Sequence, residues 1–81
     1  MKFSRRATSE DFIGANEKWR ELLHPSILDE YHNGNKAKAV LTHRSYHACG
    51  VQVSKDVIDR YSSFLDAWND FIEGKEIFVQ Y

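Results

Sequence analysis

Between Val57 and Ile72 the apolar side chains fall three and four residues apart, at Val57, Ile58, Tyr61, Phe64, Leu65, Trp68, Phe71 and Ile72. This is the period of an amphipathic α-helix; a strand would scatter the same residues over both faces. One such helix in a chain of 81 residues governs the rest, because the other segments must cover its apolar side. The pattern predicts a helix over 55–73. Ser54 is its expected N-cap, Val53 its staple onto the first turn, and Gly74 its left-handed closing residue.

Phe12, Ala15, Trp19, Leu22 and Leu23 define a second amphipathic helix. Thr8 and Ser9 compete to cap it, and Glu10 and Asp11 complement the positive end of its dipole. Gly14, inside this helix, suggests close packing against a neighbour. Pro25 ends the helix near His24, since the residue before a proline is pushed out of the helical region. The same proline can open a short helix over 25–31, which Asn33-Gly34-Asn35 stops with turn chemistry. Residues 36–49 read better as a helix than as a strand, because alternation would put His43, Ser45 and His47 beside Leu41 on a poor apolar face. Gly50-Val51-Gln52-Val53 would then connect to the long helix. The tail, Glu76 to Tyr81, is β-branched and aromatic and reads as a strand; within the chain its spare partner is the stretch around Lys2-Phe3-Ser4. The expected fold is mainly α. Three or four helices form a single small domain over residues 1–81, around Trp19, Leu22, Leu41, Tyr61, Leu65 and Trp68, with a possible two-stranded ribbon from the termini.

Composition narrows the class. With 42% hydrophobic and 28% charged residues, the chain is neither disordered, collagenous nor transmembrane. One cysteine, Cys49, rules out an internal disulfide framework and fits a reducing, cytoplasmic setting. The start, Met1 to Arg6, runs into Ser9, Glu10 and Asp11 rather than an apolar stretch, so it does not read as a signal peptide. Eleven basic and twelve acidic groups leave no excess to attract a polyanion or a membrane surface.

Several constellations invite a chemical reading. His43 and His47, four apart, share a helix face and are the candidate metal pair; Arg44 beside the first disfavours a cation, and no cofactor is expected. Cys49 lacks the electropositive surroundings of a reactive thiolate. A helix-turn-helix reading of the 36–73 region fails on charge. The would-be recognition helix carries Asp56, Asp59, Asp66, Asp70 and Glu73 against Lys55 and Arg60, and nucleic-acid affinity rests on phosphate contacts. The segment Leu41-Thr42-His43-Arg44-Ser45-Tyr46 resembles the signature helix of the ribonuclease III family, and Arg60 with Phe64-Leu65-Asp66-Ala67-Trp68 is similar to that family's second signature. Ser63 stands where the family's metal-binding glutamate belongs, and the glycine before Asp66 is absent. The resemblance implies no activity here.

The charge is uneven. Residues 1–50 hold eight basic and six acidic groups, residues 51–81 three basic and six acidic. Asp59, Asp66, Asp70 and Glu73 form a stripe suited to a partner with a basic surface. Phe78 and Tyr81 in the tail add apolar contact area, and the apolar arc of the long helix is expected to be wide enough to leave Phe64 and Phe71, or Ile58 and Leu65, uncovered. The expectation is a non-enzymatic interaction module: an adaptor, regulator or inhibitor of a larger protein, of the small kind that phages encode. The alternatives are a self-assembling accessory subunit or homodimer, and a histidine-based metal-binding domain.

Overall fold

The structure is a computed structural model that describes residues 4–80. Six elements follow in order: β1 (Ser4–Arg6), α1 (Ser9–Leu22), α2 (Pro25–His32), α3 (Lys36–His47), α4 (Val51–Ile72) and β2 (Phe78–Gln80). The mainly helical fold with a terminal ribbon is the one expected. β1 and β2 pair antiparallel, with Ser4 opposite Gln80, Arg5 opposite Val79 and Arg6 opposite Phe78. Lys2, Phe3 and Tyr81 lie outside the described residues.

Local chemistry sets the joints. Thr8 caps α1, and its backbone N–H donates to the Asp11 carboxylate at 2.8 Å. Arg5 grips the same carboxylate with two N–H groups at 2.7 and 2.5 Å, which bolts β1 to the start of α1. These contacts, the Arg5 guanidinium first, hold the Asp11 carboxyl well below the usual carboxylate range. α1 ends at Leu22, because His24 before Pro25 adopts an extended ψ of 144°. His24 then caps α2, its Nδ1 accepting from the Ser26 N–H at 3.1 Å. At the far end of α2 the N–H of Gly34 donates to the Tyr31 carbonyl and that of Asn35 to the Glu30 carbonyl. Gly74 and Lys75 repeat the arrangement on Phe71 and Asp70. Both closures need a positive φ, +84° at Gly34 and +96° at Gly74, which glycine adopts without steric cost.

α4 begins a turn earlier than the periodicity indicates. Gly50 is the N-cap, and Ser54 lies inside the helix, fully buried. Val51 and Val53 face water, so Val53 staples nothing, and polarity in this first turn is inverted. Gly14 is likewise not a close-packing site: a Cβ there would meet nothing within 4 Å.

The core is one layer thick in a body of 37 × 30 × 18 Å. Leu23, Ile27, Ala39, Ile58 and Tyr61 form its buried centre, with Trp19, Leu28, Phe64 and Leu65 packed around it. Phe12 of α1 inserts its ring among Phe64, Trp68 and Phe71 of α4, with centroids 4.9 to 6.2 Å away. Phe12 therefore covers the Phe64 and Phe71 margin of the α4 arc, and Ile58 at the other margin is fully buried, while Ile72 stays 70% exposed. Two expected core residues are not in the core: Leu22 and Leu41 are 61% and 57% exposed. Leu41 lies instead on the open side of the α3–α4 packing, where it lines a groove with Val51 and Lys55.

Candidate functional site

Among the described residues the chemistry gathers in four places. The first is the corner where α3 turns into α4. Ala48, at φ 50° and ψ 41°, reverses the chain and swings Cys49 back over the helix end. The Ser54 hydroxyl then stands 2.9 Å from His43 Nδ1 and 3.1 Å from Cys49 Sγ. His43 is buried, which lowers its pKa, and the His47 ring stacked on it at 4.2 Å adds to that shift. The two histidines do share a face. Even so, among the described residues no group of three or more His, Cys, Asp or Glu side chains is placed to hold a metal. His43 is engaged by Ser54, whose sequence position alone suggests a helix cap.

The second place is a groove of about 590 Å³ between α3 and α4, lined by Lys36, Ala37, Val40, Leu41, Val51 and Lys55. Ala37, Val40 and Leu41 are spaced i, i+3, i+4 on α3, while Val51 and Lys55 are spaced i, i+4 on α4, so each wall is one helical ridge. The lining is almost wholly apolar apart from the two ammonium groups. Lys36 Nζ lies 2.7 Å from Asp59 Oδ1, which raises the lysine's pKa and lowers the aspartate's. Lys55 has no salt-bridge partner among the described residues. The α4 ridge is not legible in the periodicity, which leaves Val51 in the connection before the helix; the structure begins α4 at Val51 and packs it beside α3.

The third place is the acidic stripe. Its members do lie along α4 and its C-cap, but the chain itself balances several of them. Asp59 is paired with Lys36, Asp70 with Lys75 at 3.2 Å, and Glu73 with Lys75 at 3.8 Å. Asp66 is exposed and forms no salt bridge among the described residues. Phe78 is 58% exposed at the ribbon, and Tyr81 is outside the described residues.

A further cleft of about 490 Å³, between α1, α2 and α4, contains Arg20, His32, Tyr61 and Trp68. There His32 Nε2 and the Tyr61 hydroxyl are 2.9 Å apart, and burial pushes the tyrosine's pKa up. Among the described residues no helix is long and apolar enough to cross a membrane. Compared with protein-family models, curated proteins and solved structures, the chain finds no match.

Proposed function

We propose that the chain is a protein–protein interaction module, a non-enzymatic adaptor, regulator or inhibitor of a larger partner. One observation carries the reading: the α3–α4 face presents Leu41 and Val51 about half exposed at an apolar groove that Ala37 and Val40 also line. A contiguous apolar patch of this kind marks a surface that another molecule covers. A cytoplasmic setting belongs to the same proposal, because the thiol of Cys49 is free and such thiols persist in reducing compartments.

The test is recovery of partners from native lysate by tagged wild-type chain and by a Leu41→Asp variant. A stoichiometric protein held by the wild type and lost by the variant supports the reading. Recovery of neither partner nor oligomer at moderate salt sinks it.

A second reading places a basic partner on the acidic stripe. It is favoured by Asp66, exposed and without a salt bridge among the described residues. Asp66→Lys would abolish such a complex and leave one seated in the groove intact.

A further inference from the structure

The two charged side chains that line the α3–α4 groove are both lysines, one on each helix, and everything between them is apolar. Resting on the interaction-module reading, we infer that this groove receives an acidic amphipathic helix of another protein. Its apolar ridge lies on Ala37, Val40, Leu41 and Val51, and its acidic flank meets Lys55, the groove lysine without a salt bridge among the described residues.

Shape and charge argue for this occupant. A groove between two helices, walled by ridges at three- and four-residue spacing, is the seat that a third helix fills. A helix about 10 Å wide spans both walls and removes the exposed sides of Leu41 and Val51 from water. A single acyl chain would lie along the floor and leave those sides wet. The ammonium of Lys55 is not neutralised by a salt bridge within the described residues, so an acidic flank supplies the missing counter-charge. At the opposite wall Lys36 is already balanced by Asp59, so the uncompensated charge at the groove is that of Lys55. A basic helix would set its charges against Lys55, and like charges held together in an interface oppose binding.

The test is selection of random peptides of about four helical turns on the full chain, followed by anisotropy measurements on the enriched sequences. The expected winners carry apolar residues at i, i+3 and i+4, flanked by Asp and Glu. Their affinity falls about tenfold or more with Leu41→Asp, Val51→Glu or Lys55→Glu. The melting temperature of at least one of these exposed-site variants stays at the wild-type value, and replacing the flanking Glu by Lys in the peptide restores binding to Lys55→Glu. Winners that are basic, or indifferent to all three substitutions, overturn the inference. If such winners are instead lost with Asp66→Lys, the interaction-module reading survives without this groove. An absence of any winner counts against both. A Leu41-dependent dimer of the chain itself would show that a second copy fills the groove, and would also overturn the inference.

Discussion

Ser54 Oγ stands 2.9 Å from His43 Nδ1 in the corner between α3 and α4, and neither residue exposes more than 5% of its surface. The hydroxyl can donate to one neighbour and accept from the other, because Cys49 Sγ approaches at 3.1 Å. Replacing Ser54 by Ala preserves the volume and removes the bond, which leaves the buried His43 Nδ1 with only the long contact to Cys49 Sγ at 3.9 Å. The expected loss is about 1–3 kcal/mol, read from urea denaturation of the two proteins side by side. A change below about 0.5 kcal/mol would mean that the corner is held by packing alone.

The same corner predicts a pH dependence. Burial, and secondarily His47, depress the pKa of His43 in the folded chain, so the unfolded chain takes up the proton first. Stability from this group is complete above the unfolded value of about 6.5. It declines as pH falls through that value and levels off below the folded pKa. Asp11, held low by Arg5 and Thr8, loses its contribution only as pH falls through the carboxylate range, so the two effects separate. Titration of the imidazole resonances checks the assignment: His43 should have a midpoint below that of an unstructured histidine, and one at or above it would refute the argument.

The long helix was legible because its apolar period survives over four turns. Pro25, Asn33-Gly34-Asn35 and Gly74 were legible because each acts through its own backbone. The first turn of α4 was not. There Val51 and Val53 face water while Ser54 faces the core, and only the approach of His43 from another helix makes that inversion favourable. Leu22 and Leu41 were misplaced for a related reason. In a body 18 Å thick, an apolar residue is buried only where a second element crosses it, and helical spacing does not say where crossings fall. The groove shares this limit, since its ridges sit on two helices and its lysines lie nineteen positions apart in the chain. The acidic stripe was legible as a line of residues, but Lys36, which neutralises Asp59, comes from α3.

The division between buried and uncovered apolar residues can be measured directly. Ile58 is completely buried at the centre of the core. Ile58→Ala should therefore cost about 2–5 kcal/mol, transfer and cavity terms together. Leu22→Ala and Leu41→Ala should each stay within about 1 kcal/mol, because more than half of each side chain is already in water. Chemical denaturation of the three variants decides the matter. Equal losses would mean that Leu22 and Leu41 belong to the core after all.

Ala48 is the one non-glycine residue with positive φ among the described residues, at 50°. Its Cβ pays the left-handed penalty of about 1–2 kcal/mol, and its exposed side chain offers little packing in return. Ala48→Gly should therefore raise stability, by up to about 1 kcal/mol once the greater freedom of an unfolded glycine is set against the relief of strain. At Gly34 and Gly74 the open surroundings would accept a methyl group, yet φ of +84° and +96° makes alanine unfavourable, so both Gly→Ala changes should lower the melting temperature. The opposite signs at three helix ends make a comparison that general effects of glycine content cannot produce. A destabilised Ala48→Gly would show that the turn into Cys49 draws on contacts of the methyl group, rather than tolerating it as strain.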